Sequence, residues 1–103
     1  IAGAMIAPFL EEIFYRGFIF PFLQSKLNSF WAVVITSLFF GLSHYMNVGS
    51  AEILVVLFIG YGFILSLARY FTGSLISPVI IHMCHNLVLI LGFLIGKQFN
   101  LLP

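Results

Sequence analysis

The sequence predicts an all-α membrane protein, a polytopic bundle of about four transmembrane helices. Hydrophobic residues make up 62% of the 103 residues and charged residues only 7%, whereas a soluble domain carries about 25% charged residues. Residues 27–51 and 70–96 contain no Lys, Arg, Asp or Glu, and a helix that crosses a hydrocarbon layer of roughly 30 Å needs a run of about this length. These runs also lack the period-two alternation of strands, so we expect no β-barrel.

The composition also excludes several classes of protein. Four basic residues are too few to follow a phosphate backbone, so we expect no nucleic-acid partner. Cys84 is the single cysteine, which excludes an intrachain disulfide framework and a zinc finger. Because the chain begins with Ile1 rather than Met, we expect residues 1–103 to form one transmembrane domain that is a fragment of a longer chain.

Three polar breaks, at residues 24–28, 47–50 and 72–74, divide the chain into four hydrophobic segments. We expect helices at about 2–23, 29–45, 50–70 and 74–96. Ser29 is a plausible N-cap of the second helix, and the fourth can start at Ser74 or Ser77. Gly92 and Gly96, one turn apart, indicate a place where another helix can approach closely.

The first segment carries two acidic residues and an arginine where the hydrocarbon core would lie. A charged side chain in mid-membrane costs roughly 2.5–3.5 kcal/mol on insertion scales, so such residues are functional candidates. Glu12 and Arg16 form an i,i+4 pair on one helix face, in the favoured order. Glu11 is rotated about 100° from Glu12 and has no partner on its own helix. We therefore predict a buried ion pair beside a carboxylate, Glu11, that is available for chemistry or proton handling.

Histidines and an amide occur at a matching depth in two further segments. His82 and Asn86 share a helix face, and an imidazole and a carboxamide can both donate hydrogen bonds to an oxyanion. His85 lies about 60° from His82 and is a rival for that role. At about 1.5 Å rise per residue, Glu11, His44, His82 and Asn86 fall in one band around or beyond the midplane. Three segments therefore deliver an acid, two imidazoles and an amide to one predicted site.

Three motifs stand in order along these segments. E-E-x-x-x-R occupies residues 11–16, F-x-x-x-H residues 40–44 and H-x-x-x-N residues 82–86. In this order they resemble the CPBP family of intramembrane proteases, also called the Abi or CAAX-prenyl-protease-like family, over roughly residues 8–90. The resemblance implies an integral, multi-pass endopeptidase, in the cell membrane if the source is prokaryotic. Its substrate would be the C-terminal tail of a prenylated protein or a peptide precursor such as a bacteriocin or pheromone.

The resemblance also implies a role for each motif residue. Glu11 would be the general base that activates a water, assisted by His44. His82 and Asn86 would form the oxyanion hole. Glu12 and Arg16 would support the first helix and tune the local field.

Other hypotheses stay open at this point. No cofactor is favoured, because no H-E-x-x-H motif is present, although the family is often labelled a metalloprotease. If a metal is present, it would be zinc held by Glu11, His44 and His82 with an open position. The alternatives from other classes are a non-catalytic bacteriocin self-immunity protein of the same fold, a proton or ion carrier, and a bis-histidine haem site formed by His44 with His82 or His85.

Overall fold

The structure is a computed structural model that describes residues 2–48 and 52–103. Within these residues there is no β-strand, which confirms the predicted all-α class. The chain order is α1 (Ala2–Phe14), a π-helical segment (Tyr15–Ile19), α2 (Phe20–Lys26), α3 (Ser29–Val48), α4 (Glu52–Thr72) and α5 (Ile76–Gln98). Because α1, the π-helical segment and α2 follow one another directly, the four predicted helical segments are present.

The first segment contains a wide turn that was not predicted from the sequence. At its end the N–H of Phe20 donates to the carbonyl of Tyr15, five residues earlier. Pro21 follows at the start of α2. In a regular α-helix a proline ring collides with the carbonyl four residues before it, and a wider turn relieves that collision. The Nε of Arg69 in α4 donates to the carbonyl of Arg16 at 3.1 Å, which satisfies a carbonyl of the wide turn.

The break between the first two segments is shorter than predicted, and its cap is a different residue. α2 continues to Lys26, so that only Leu27 and Asn28 separate it from α3. The N–H of Trp31 donates to Oδ1 of Asn28 at 3.0 Å. The N-cap of α3 is therefore Asn28 rather than the predicted Ser29, because the asparagine oxygen reaches an otherwise unpaired N–H of the first turn.

The later boundaries shift by a few residues. α3 continues past the predicted end to Val48, while Gly49 and Ser50 of the second predicted break lie outside the described residues. The third break lies at residues 73–75, one residue later than predicted, with Gly73 in the left-handed region at a φ of 65°. α5 begins at Ile76, between the two predicted starts, and the hydroxyl of Ser74 accepts the N–H of Ile76 at 3.1 Å.

Helices α3 and α4 form the most extensive helix pair. A Cβ at Gly41 of α3 would lie 2.9 Å from the backbone nitrogen of Ile59, and one at Gly62 of α4 would lie 2.9 Å from the Phe40 ring. Side chains do not tolerate such distances, so these two glycines allow the backbones to approach closely. The close approach places α4, which carries none of the three motifs, beside the motif residues of α3.

The glycine pair, Gly92 and Gly96, lies near the end of α5. A Cβ at Gly92 would meet nothing within 4 Å, and one at Gly96 would meet the side chain of Leu102. Within the described residues no second helix approaches this pair. A close approach of another helix at this pair therefore stays a prediction.

Among the described residues, two helices, α4 and α5, are long and apolar enough to cross a membrane, and residues 29–44 of α3 form a shorter apolar stretch. Only 17% and 11% of the most apolar stretches of α4 and α5 are buried by the rest of the chain. The outward faces are rich in large hydrophobic side chains, such as Phe71 at 76% exposure. In water such a surface would be unfavourable, whereas lipid or further helices can cover it.

Candidate functional site

The predicted ion pair in the first segment is present and is completely buried. Nη1 of Arg16 lies 3.2 Å from Oε1 of Glu12, and both side chains have 0% exposure. Nε of Arg16 donates to the hydroxyl of Ser66 at 3.3 Å, and Nη2 donates to the carbonyl of Gly62 at 2.6 Å. The guanidinium also lies 4.7 Å from the centre of the Phe40 ring. These contacts fix the first helical segment against α3 and α4 and supply Glu12 with its counter-charge.

Glu12 has a second partner that was not predicted from the sequence. Nδ1 of His82 lies 2.7 Å from Oε1 of Glu12, across 70 residues of sequence. A carboxylate oxygen can only accept, so we assign the proton to Nδ1 of His82. In the neutral ring, Nε2 of His82 is then an acceptor, and it donates only when the ring is protonated. This refines the predicted oxyanion hole, in which His82 was to donate as a neutral imidazole.

His44 is held in the same tautomer by a different partner. Its Nδ1 donates to the carbonyl of Phe40 at 2.7 Å, one turn earlier in α3. The ring stacks on Phe58 of α4, with ring centres 4.7 Å apart and planes inclined by 25°. The F-x-x-x-H motif therefore forms a hydrogen bond within one helix, because the i,i+4 spacing brings the backbone carbonyl of the phenylalanine to the histidine. As in His82, the remaining nitrogen, Nε2, is an acceptor in the neutral ring.

The two Nε2 atoms face the same oxygen of Glu11. Oε2 of Glu11 lies 3.6 Å from Nε2 of His44 and 3.8 Å from Nε2 of His82. This oxygen has no hydrogen-bond partner among the described residues, and the Glu11 side chain is 35% exposed where that of Glu12 is 0% exposed. When both rings are neutral, three acceptors thus converge at one point. Such an arrangement is suited to a small molecule that donates protons, water being the simplest.

These groups open onto a cavity of about 270 Å³ between the helices. Asn86 also lines it, so the structure brings together the four residues that were predicted as catalytic. The two neighbouring histidines differ in their contacts, because His82 contacts both carboxylates, whereas the ring of His85 packs on Tyr61 with centres 4.5 Å apart. The lining residues are Glu11, Phe40, His44, Phe58, Tyr61, His82, His85, Asn86 and Leu89.

The alternative zinc set of Glu11, His44 and His82 stays a prediction. In the described part of the chain, no three His, Cys, Asp or Glu side chains are already grouped as a metal site. We derive no step through a metal.

Helix α4 supplies site residues that were missed in the sequence. Phe58 stacks on His44, Ser66 and the carbonyl of Gly62 bind Arg16, and Tyr61 lines the cavity. A phenol and a hydroxyl in the middle of an apolar run of spanning length were the available signal. The carbonyl of Gly62 and the ring of Phe58 gave no signal, because their roles depend on how α3 and α4 pack.

Comparison with known proteins finds a matching family and a similar protein. The model of the family described as "Type II CAAX prenyl endopeptidase Rce1-like" matches residues 1–88. The chain is 33% identical over 86 residues to a Bacillus subtilis (strain 168) protein named "Putative membrane peptidase YdiL". That alignment covers 84% of this chain and 33% of the relative, so the chain spans about a third of the relative's length. No solved structure gave a significant match.

Proposed function

The chain belongs to the Rce1-like family of type II CAAX prenyl endopeptidases, as the resemblance had indicated, and from this premise we propose that it carries the catalytic centre of an intramembrane endopeptidase. One observation carries the proposal: Oε2 of Glu11 and the Nε2 atoms of His44 and His82 converge as three acceptors at one cavity. A water bound there can give a proton to Glu11 while its oxygen attacks a carbonyl carbon.

The reaction then proceeds in two steps. The water oxygen forms a bond to the carbonyl carbon, its proton passes to Glu11, and the electron pair of the C=O double bond moves onto the carbonyl oxygen. When the tetrahedral intermediate collapses, the C–N bond breaks and the leaving nitrogen takes the proton from Glu11. His44 assists by accepting the second hydrogen bond of the water, because Nδ1 is already bound to the carbonyl of Phe40 and only Nε2 faces the site.

His82 and Asn86 remain the proposed stabilisers of the oxyanion. For His82 this role requires the imidazolium form, since the neutral ring has its proton on Nδ1. Oε1 of Glu12, 2.7 Å from Nδ1, orients the ring for this role. Glu12 and Arg16 are thus proposed as positioning residues: Arg16 balances Glu12, and Glu12 orients His82.

The proposed substrate is a peptide presented at or within the membrane, either a prenylated C-terminal tail or a peptide precursor. The apolar outward faces of α4 and α5 support a location in the bilayer. We propose that α3 and the first helical segment also cross the membrane, which makes the protein multi-pass. No metal is assigned to the mechanism.

A cleavage assay with purified protein in liposomes tests this proposal. Matched peptides with and without a farnesyl group are incubated with the protein before and after exhaustive chelation. We expect cleavage that survives chelation, because the nucleophile is activated by side chains alone. Activity that is lost on chelation and restored stoichiometrically by zinc would contradict the metal-free mechanism. A self-immunity protein of the same fold would cleave neither peptide.

A further inference from the structure

The phenol of Tyr61 and the ring of His85 are polar groups of the cavity that the mechanism has not used. Tyr61 lies near the middle of α4, and its side chain lines the cavity together with Glu11, His82 and Asn86. Its hydroxyl oxygen is buried and has no hydrogen-bond partner among the described residues. A buried hydroxyl without a partner is costly, and in a native protein it calls for an explanation such as a ligand or a catalytic role.

The ring of Tyr61 is held in place by the residues of the site. Its centre lies 5.6 Å from that of His82 with the planes nearly perpendicular, at 85°. It also packs on His85 at 4.5 Å and edge-to-face on Phe40 at 6.1 Å. These contacts from α3 and α5 restrain the ring on two sides, and they restrain with it the position of the hydroxyl.

With both histidines neutral, the cavity holds three acceptors and, in the carboxamide of Asn86, one fixed donor. Glu11 and the Nε2 atoms of the two neutral histidines all accept, because both Nδ1 protons are engaged by Phe40 and Glu12. An oxyanion hole acts through fixed donors aimed at the developing charge. His82 can supply such a donor only after it has taken up a proton. A tyrosine O–H is a donor in every state of the reaction.

We propose that the hydroxyl of Tyr61 donates a hydrogen bond to the carbonyl oxygen of the scissile bond as that oxygen becomes negative. This assignment rests on the proposed function and adds a catalytic residue from the helix that carries no motif. When water attacks, the electron pair that moves onto the carbonyl oxygen is stabilised by the O–H of Tyr61 together with the carboxamide of Asn86. No proton is transferred from Tyr61, and the hydrogen bond weakens again when the carbonyl re-forms.

Tyr61→Phe tests the proposal because it removes only the hydroxyl and keeps the ring that packs on His82 and His85. We expect kcat to fall about 10²–10³-fold, which is the loss typical of one oxyanion-hole donor. KM should change less than about two-fold, because the hydrogen bond forms mainly in the transition state. Tyr70→Phe is the matched control, since Tyr70 is exposed on the same helix. Its kcat should equal that of the wild type.

A second measurement separates catalysis from packing. A peptide aldehyde, whose hydrate imitates the tetrahedral intermediate, should lose affinity for Tyr61→Phe by a similar factor, while an uncleaved peptide of the same sequence binds as before. Unchanged kcat and aldehyde affinity in Tyr61→Phe would overturn the assignment. So would a loss of kcat that comes with a lower unfolding temperature. Glu11→Gln serves as the reference variant. If Glu11→Gln is inactive while Tyr61→Phe is fully active, only the Tyr61 assignment fails. If Glu11→Gln is fully active, the proposed function fails.

Discussion

Two carboxylates that are neighbours in the sequence have opposite environments in the structure. Glu12 is fully buried, and one of its oxygens binds both Arg16 and His82. Glu11 is 35% exposed, and Oε2 faces two histidine nitrogens across 3.6 and 3.8 Å without a hydrogen-bond partner among the described residues. The rotation of about 100° per residue along a helix separates the two side chains. One carboxylate therefore holds helices together, and the other faces the cavity where a substrate can enter.

This difference between Glu11 and Glu12 indicates how a small polar cluster in an apolar bundle can contribute both to stability and to catalysis. A buried charge is tolerated when it is paired and hydrogen-bonded. Arg16 fulfils that condition for Oε1 of Glu12 and is itself held by two groups of α4, Ser66 and the carbonyl of Gly62. A group poised to accept a proton must instead lack a permanent donor. Glu11 meets this second requirement, since Oε2 has no hydrogen-bond partner among the described residues. The neighbouring Glu12 meets the first requirement.

The largest effect on stability is expected for Arg16→Met. The variant leaves Glu12 without its counter-charge and removes the donors to Ser66 and the carbonyl of Gly62. Breaking one partner of a buried ion pair costs about 3–5 kcal/mol. The free energy of unfolding, measured by denaturant titration in detergent, should fall by that amount. Lys26→Met is the matched control, since Lys26 is exposed, and we expect a change within about 0.5 kcal/mol. Equal stability of the two variants would show that the ion pair does not support the fold.

A smaller effect is expected for Ser66→Ala, which keeps the ion pair but removes the acceptor of Arg16 Nε. Since that hydrogen bond is long, at 3.3 Å, the loss should be about 1 kcal/mol. Thr36→Val is the matched control, because the Thr36 hydroxyl is buried without a partner among the described residues. Its replacement by an isosteric apolar group should leave stability unchanged or slightly raised. A loss in Thr36→Val as large as in Ser66→Ala would argue that burial, rather than the bond to Arg16, determines both values.

Much of this fold could be predicted because the chain is simple in composition. Long uncharged runs and three polar breaks were sufficient for four helical segments, and helical spacing was sufficient for the pair of Glu12 and Arg16. The wide turn before Pro21 was not predicted, since a proline in a hydrophobic segment can also be accommodated by a kink. The N-cap was assigned one residue too late, because Asn28 and Ser29 are both good caps and only the local geometry distinguishes them.

The residues of the candidate site could be predicted from the sequence, but the contacts between them could not. The depth estimate placed Glu11, His44, His82 and Asn86 in one band, and the structure gathers them around one cavity. The bond between Glu12 and His82 depends on the rotation of α5 relative to the first segment, which no spacing within one helix can give. The contribution of α4 was not predicted either, because Tyr61 belongs to none of the three motifs.

The most direct test of the account compares Glu11→Gln with Glu12→Gln in the same preparation, with the unfolding free energy and the rate of peptide cleavage measured for both. In Glu11→Gln the new amide can donate to the histidine acceptors, so we expect stability within about 0.5 kcal/mol of the wild type and a rate reduced at least about 10³-fold by loss of the general base. In Glu12→Gln the buried charge of Arg16 loses its partner, so we expect a loss of about 1–3 kcal/mol in stability. Full cleavage by a well-folded Glu11→Gln, or a larger loss of stability in Glu11→Gln than in Glu12→Gln, would contradict the division of roles between the two carboxylates.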